Sequence, residues 1–277
     1  MRASLFQIAV DENESVVSRR DRVSGMIADV SREQRPDLVV LPELWTTGAF
    51  AYELFAAEAE PLHGATYDAM AKAARDAGVW LHAGSIPERV PAGEADAAPG
   101  AADAPVHDGH VLYNTSLVFT PEGDLAASYR KIHRFGFDKG EAVLMGAGHD
   151  LVTVRMPETT LGIATCYDLR FPELFRGLVD AGADTFVVPA GWPERRRAHW
   201  SLLARARAVE DQAFLLACGT AGTHAGIPQA GHSVAVDPWG EVLSEADGGE
   251  TVLTVDFDPT AAATARDRFP VLRDRVL

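Results

Sequence analysis

Leu161-Gly162-Ile163-Ala164-Thr165-Cys166-Tyr167-Asp168-Leu169-Arg170-Phe171-Pro172-Glu173 is the stretch on which the reading of this chain turns. Residues 161–165 are apolar or small and read as a buried strand. Residues 171–181 read as a helix opened by Pro172 near its first turn, where a missing N–H costs nothing. A second apolar run, 185–189, follows and reads as the next strand. A strand, a crossover helix and a strand make a β-α-β unit with a parallel pair. The alternation continues with a helix at 199–211 and a strand at 213–218.

The first half repeats this rhythm. Residues 4–10 read as a strand and 14–32 as an amphipathic helix, with Val16, Val23, Ile27 and Val30 on one stripe. Residues 37–41 read as a buried parallel-type strand. A helix at 66–77 is stopped by Gly78, and a strand follows at 79–84. Residues 111–119 and 125–129 form a hairpin around Pro121-Glu122-Gly123-Asp124. Residues 232–236 and 251–257 read as a second hairpin turning at 237–240, and 261–268 as a helix ended by Pro270. Between them, 91–110 is rich in Ala, Pro, Gly and Asp without any period. It reads as a flexible surface insertion within one domain spanning 1–277. Two β-α-β halves suit a pseudo-symmetric sandwich with sheets inside and helices outside. Periodicity supports the α/β class without selecting the topology.

Composition narrows the function. The 277 residues include 25 basic and 40 acidic side chains, a formal net charge of −15. That balance argues against non-specific nucleic-acid binding and against adhesion to anionic lipid. No apolar run reaches the roughly 20 residues that span a bilayer. The N-terminal stretch turns acidic at Asp11, Glu12 and Glu14, which is not the pattern of a signal peptide. Two cysteines, Cys166 and Cys218, make no disulfide framework, so a reducing, cytoplasmic setting is expected. There is no His-Glu-x-x-His, no paired Cys-x-x-Cys and no phosphate-binding glycine loop. Neither a metal nor a cofactor is expected.

Four side chains are candidates for chemistry. Cys166 sits at a strand-to-helix turn, where backbone N–H groups and a positive dipole end are expected to lower a thiol pKa. Position alone does not separate such a nucleophile from a buried structural cysteine. Glu43 follows the buried strand at 37–41, at the end where ligands bind in α/β folds and where a carboxylate can serve as a general base. Lys131 follows the hairpin in Tyr129-Arg130-Lys131-Ile132-His133, and Glu141 lies in a glycine-containing loop. Alone, each of these three also fits a solvated charge. The run Arg195-Arg196-Arg197 fits either an anion site or a solvated face.

Taken together, the pieces resemble the nitrilase superfamily of carbon–nitrogen hydrolases. The resemblance rests on a Glu, a Lys and a Cys in that chain order. They stand in Leu41-Pro42-Glu43-Leu44-Trp45, in Tyr129-Arg130-Lys131-Ile132-His133, and in Cys166-Tyr167-Asp168-Leu169-Arg170-Phe171-Pro172-Glu173. It covers nearly the whole chain. It implies an α-β-β-α sandwich, two central mixed sheets flanked by helices. It also implies subunits that pair through helices near the nucleophile into a homodimer or higher even oligomer. A second carboxylate is implied between the Lys and the Cys, and Glu141 is the position carried over. Glu43 would then take the thiol proton. Lys131 and the backbone N–H of Tyr167 would stabilise the oxyanion, and Glu141 would hold Lys131 or orient the amide nitrogen.

Within the superfamily the chain most resembles the omega-amidase-like branch, through residues 41–48, Gly191-Trp192-Pro193 and 199–212. That branch cleaves side-chain amides of short 2-oxo acids such as 2-oxoglutaramate. One departure is Gly219-Thr220-Ala221-Gly222, where the branch often carries Asn-Arg. Arg170 is read either as a grip for a substrate carboxylate or as a salt bridge to Glu173 or a partner subunit. Trp192 is a pocket wall or core packing, and Arg207 with Glu210 a structural ion pair. The alternatives are another activity of the superfamily (aliphatic amide, N-carbamoyl or nitrile hydrolysis) and a catalytically silent binding protein of the same fold.

Overall fold

The computed structural model describes residues 1–95 and 104–276. In chain order the first half runs β1 (Arg2–Gln7), α1 (Val16–Gln34), β2 (Leu38–Val40), α2 (Leu54–Ala57), α3 (Ala65–Ala77), β3 (Trp80–Pro91), β4 (Val106–His107), β5 (His110–Phe119), β6 (Leu125–Arg130) and α4 (Glu141–Leu144). The second half runs β7 (Thr153–Arg155), β8 (Thr160–Ile163), a 3₁₀ turn (Cys166–Arg170), α5 (Pro172–Asp180), β9 (Thr185–Ala190), a second 3₁₀ turn (Glu194–Arg196), α6 (Arg197–Asp211) and β10 (Phe214–Gly219). It closes with β11 (Thr223–His224), β12 (Ile227–Pro228), β13 (Val234–Val236), β14 (Val242–Glu245), β15 (Thr251–Asp256) and α7 (Thr260–Arg268).

Successive residues of a strand face opposite layers, and this alternation builds the sandwich. Leu38 and Val40 of β2 join Leu161, Ile163, Val187 and Leu216 in a core between two sheets. Val39 of the same strand faces outward and packs with Val23 and Ile27 of α1 and Met70 and Ala74 of α3. On the other side, Phe186 and Val188 of β9 pack with Phe175 of α5 and Trp200 and Ala204 of α6. The layers are therefore α-β-β-α. Among the described residues the first sheet has the order β15-β1-β2-β3-β5-β4, with β6 also paired to β5, and the second β14-β13-β10-β9-β8-β7. Each sheet has three parallel strands at its heart, β1-β2-β3 and β8-β9-β10, with antiparallel partners outside them. These triplets are the two expected β-α-β halves.

Two local expectations are corrected. The C-terminal hairpin is not formed by 232–236 with 251–257. Instead β13 turns at Asp237–Gly240 into β14, and β15 crosses to the other sheet to pair antiparallel with β1. β14 is mostly exposed and short, so its sequence carried little hydrophobic signal. The boundaries of 91–110 also differ. β3 runs on through Pro91, and Val106–His107 pairs with β5, so both flanks belong to the sheet. The centre of that stretch, 96–103, on which the expectation of flexibility falls, lies outside the described residues. No helix among the described residues is long and apolar enough to cross a membrane.

One buried group ties the fold to pH. His82 in β3 is fully buried, which pushes its pKa down to about 4. Its Nδ1 accepts the Gly84 N–H at 3.2 Å, so the ring is neutral with its proton on Nε2. Gly84 has φ +63°, and a Cβ there would come within 2.0 Å of the Pro42 carbonyl oxygen, next to Glu43. Because the folded pKa lies below the ordinary 6.5, the stabilisation is present above pH 6.5 and is lost as pH falls towards 4. The expected loss is about 3 kcal/mol by pH 4. Asn at position 82 keeps an acceptor two residues before Gly84. His82→Asn is expected to flatten the acid slope of the urea midpoint, leaving the share of His224, which burial also holds at about 4. An unchanged slope would refute this.

Candidate active site

Glu43, Lys131 and Cys166 are each delivered by the end of a strand. Glu43 lies in the turn after β2. Leu44 beside it adopts φ +44°, a left-handed conformation that a leucine holds only when its surroundings impose it. Those surroundings are the Ser85 hydroxyl, which accepts the Leu44 N–H at 3.0 Å, and the Trp45 indole, which donates to Ala83 O at 2.9 Å. The buried guanidinium of Arg19, on α1, donates to Thr46 O. Lys131 directly follows β6, and its N–H donates to Asn114 O at 2.9 Å. Glu141 opens the single turn of α4, not an irregular loop. Cys166 begins the 3₁₀ turn after β8, again in a left-handed conformation, φ +49°. Tyr167 follows it in the first turn, so its N–H precedes any intrahelical acceptor.

These elements converge on one pocket whose lining includes Glu43, Lys131, Glu141, Cys166, Tyr167, Arg170 and Trp192. All seven sequence candidates are thus brought together. Lys131 Nζ donates to Glu43 Oε1 and to Glu141 Oε2, both at 2.6 Å. All three groups are almost wholly buried. An ammonium has three N–H bonds, so one remains to point into the pocket. Glu43 Oε2 accepts the Gly191 N–H at 2.8 Å, and Glu141 Oε2 the Phe135 N–H at 2.8 Å. Burial opposes the charge on Lys131, but Glu141 and Glu43 together hold its pKa well above the ordinary lysine value. Burial, with the charge of Glu43, raises Glu141, and Lys131 pulls it back.

The thiol reverses one expectation. Burial, and next the Glu43 carboxylate, push Cys166 well above the ordinary thiol value, with Lys131 pulling the other way. The reason is geometric. Only a short 3₁₀ turn begins at Cys166, and α5 starts six residues later, so no α-helix dipole acts on the sulfur. At rest the group is a thiol that donates to Gly191 O at 4.0 Å, with the Glu43 carboxylate near enough to raise its pKa. Cys218 is sealed in the inter-sheet core, its thiol donating to Val40 O at 3.3 Å and Phe6 O at 3.4 Å.

The remaining candidates sort cleanly. Among the described residues Arg170 has no carboxylate partner. Its guanidinium lies 4.8 Å from the Trp192 ring and 3.3 Å from His199 Nδ1. Trp192 fills both of its expected roles, lining the pocket and packing on Trp200 at 5.4 Å. Arg207 pairs with Glu210 and also donates to Leu169 O at 3.1 Å, bracing the nucleophile turn. The 219–222 loop does not line the pocket. Its Gly219 N–H donates to Ser233 Oγ and its Ala221 N–H to Ile8 O.

Sequence reasoning missed Asn114, whose Nδ2 bridges Glu43 Oε1 at 2.8 Å and Glu141 Oε1 at 2.5 Å. An amide in the apolar run Val111-Leu112-Tyr113 was the available signal, since a buried polar group needs partners. It also missed Asp168 as a hub and Arg196 as a lining residue. Among the described residues no group of three or more His, Cys, Asp or Glu side chains is placed to hold a metal ion.

An α-β-β-α sandwich that gathers a buried thiol, an ammonium and two carboxylates into one pocket defines a class: hydrolases that act through a cysteine. The chain belongs to the carbon–nitrogen hydrolase family, whose model matches residues 2–267. It is 38% identical over 274 residues to the 2-oxoglutaramate amidase of Paenarthrobacter nicotinovorans, covering 97% of this chain and 87% of that one. It is 30% identical over 282 residues to the mouse omega-amidase NIT2, covering 99% and 94%. The crystal structure of Saccharomyces cerevisiae Nit3, a member of branch 10 of the nitrilase superfamily, superposes with a TM-score of 0.86 at 27% identity, covering 100% of this chain and 97% of that one. The resemblance drawn from the three motifs is borne out, and the protein is a carbon–nitrogen hydrolase.

Proposed function

We propose that this protein is a cysteine-dependent amidase for small amides that carry a carboxylate, with 2-oxo acid amides such as 2-oxoglutaramate as substrates. The observation that carries this reading is the Lys131 ammonium held between Glu43 and Glu141 in the pocket that Cys166 lines. The names of the relatives above support the substrate class.

Glu43 accepts the Cys166 proton as the sulfur bonds to the amide carbonyl carbon. The oxyanion takes the third N–H of Lys131 and the N–H of Tyr167. One such donor lowers the barrier by roughly 3 kcal/mol. Protonated Glu43 passes its proton to the amide nitrogen as the C–N bond breaks and ammonia leaves. Water then gives a proton to Glu43 and adds to the thioester. The C–S bond breaks, and the sulfur recovers its proton from Glu43. Glu141, already satisfied by Lys131, Asn114 and Phe135, holds the lysine in place. Arg170 faces the substrate carboxylate, and Trp192 walls its path. Subunits pair into a dimer or higher even oligomer near the nucleophile. Exposed Leu202 and Val209 on α6 support this, and sedimentation tests it. The setting is cytoplasmic.

The test is ammonia release from a panel: 2-oxoglutaramate, 2-oxosuccinamate, glutamine, asparagine, an aliphatic amide, N-carbamoyl-β-alanine and a nitrile, with Cys166→Ala as control. Release confined to the 2-oxo amides and abolished in the variant is the expected result. Release from another member moves the substrate, and release that survives Cys166→Ala overturns the mechanism.

A further inference from the structure

Among the three consecutive arginines 195–197, the structure separates one from its neighbours. Arg195 and Arg197 are exposed, and Arg197 pairs with Glu194 at 3.6 Å. Arg196 is part-buried, lines the pocket, and has no carboxylate partner among the described residues. Its guanidinium lies 5.1 Å from the centre of the Phe135 ring. Burial, and then the like charges of Arg195 and Arg170, push its pKa below the ordinary guanidinium value. Arg170, in the same lining, likewise has no carboxylate partner among the described residues. In a chain with 40 acidic side chains and 25 basic ones, one pocket lining holds two guanidinium groups, neither paired with a carboxylate among the described residues. That arrangement has an electrostatic cost which an incoming anion relieves.

Both groups are fixed relative to the reacting centre. The Trp192 indole lies beneath Arg170, and its N–H donates to Arg196 O at 2.8 Å, so one side chain relates the two. Phe135, beneath Arg196, donates its N–H to Glu141 Oε2, which also holds Lys131. We propose that Arg196 determines specificity: with Arg170 it forms a two-guanidinium clamp for the carboxylate of a short monoamide whose amide carbon lies at Cys166. This rests on the amidase reading for the amide end only. Two guanidinium groups offer more donors than one carboxylate needs. They therefore suit an acid whose neighbouring carbon also bears an acceptor oxygen, as in a 2-oxo acid.

The test compares succinamate with its uncharged counterpart succinamide, by calorimetry on Cys166→Ala protein. Arg196→Gln is expected to raise the Kd of succinamate about 10- to 100-fold and leave succinamide unchanged. Arg195→Gln, at the exposed neighbour, should change neither. Equal affinity of the unmodified clamp for the two ligands overturns the proposal. So does succinamate binding that ignores Arg196→Gln, or an equal loss for both ligands. Activity with native Cys166 tests the amidase reading separately. Hydrolysis with an unaltered KM in Arg196→Gln sinks the clamp and leaves the amidase. Arg196-dependent binding with no hydrolysis of any panel member does the reverse.

Discussion

Lys131→Met is expected to lower ammonia release at least about a thousandfold and to reshape the pH dependence of stability. Lys131 neutralises two buried carboxylates at 2.6 Å each. Removing one partner of a buried ion pair typically costs about 3–5 kcal/mol, because the other charge stays buried. Here two such charges remain, with only Asn114 between them. The site can respond by taking up a proton. Glu141 is already raised by burial and by Glu43, and Lys131 is what pulls it back. In the variant, a carboxylate with a raised folded pKa gives stability that is present at acid pH and is lost as pH rises through that pKa. The variant should therefore melt higher at pH 5 than at pH 8 relative to the wild type. The rate loss has two sources. One oxyanion donor is gone, about 3 kcal/mol, and a proton trapped between the carboxylates removes the base. Lys131→Arg keeps the charge but replaces a compact ammonium by a planar fork. It should recover more of the melting temperature than of kcat. A Lys131→Met enzyme with wild-type kcat would sink the assigned role.

The sequence was most informative where several constraints coincide. Strand and helix periodicity gave both β-α-β halves, since each strand buries both faces and each helix one stripe. The motif strings around Glu43, Lys131 and Cys166 placed those residues in one pocket because each follows a strand end. What was not legible depends on approach in space. Asn114 is an ordinary polar residue in a strand until two carboxylates meet over it. Arg196 is distinguished from Arg195 and Arg197 only by the rotation of a 3₁₀ turn. The direction of the Cys166 pKa shift was misjudged because sequence showed a helix ahead but not how completely the fold buries the sulfur. β15 was assigned to the wrong partner because an exposed strand, β14, left too weak a pattern to compete for the hairpin.

Asp168→Asn is expected to lower kcat about 100-fold while leaving KM within a few-fold of its original value. Asp168 is fully buried and accepts four donors. Its Oδ2 takes the Tyr129 hydroxyl at 2.7 Å and the Thr165 N–H at 2.9 Å. Its Oδ1 takes the His133 N–H at 3.0 Å and His133 Nδ1 at 2.7 Å. Tyr129 and His133 flank Lys131 two residues away on either side, and Thr165 precedes Cys166. One carboxylate therefore sets the spacing between the thiol turn and the ammonium. Burial, reinforced by Asp168, raises the Tyr129 pKa, so its hydroxyl remains a donor. The His133 ring, stacked on Phe171 at 3.7 Å, is held as well. An asparagine must place an NH₂ where an oxygen stood. A tyrosine hydroxyl or a histidine ring can change role to suit it, but a backbone N–H cannot. Whichever way the amide turns, Thr165 or His133 loses its main-chain acceptor, at a cost of about 1–3 kcal/mol. A displacement of about 1 Å at the reacting groups is enough for a 100-fold loss. Asp168 is a positioning residue, so its test must separate register from simple destabilisation. Alkylation of Cys166 by iodoacetamide needs only the thiol and Glu43, whereas hydrolysis also needs Lys131 in register. In Asp168→Asn, alkylation should change by only a few-fold while hydrolysis falls 100-fold. Parallel losses in both, tracking the unfolded fraction, would show that Asp168 merely stabilises the fold.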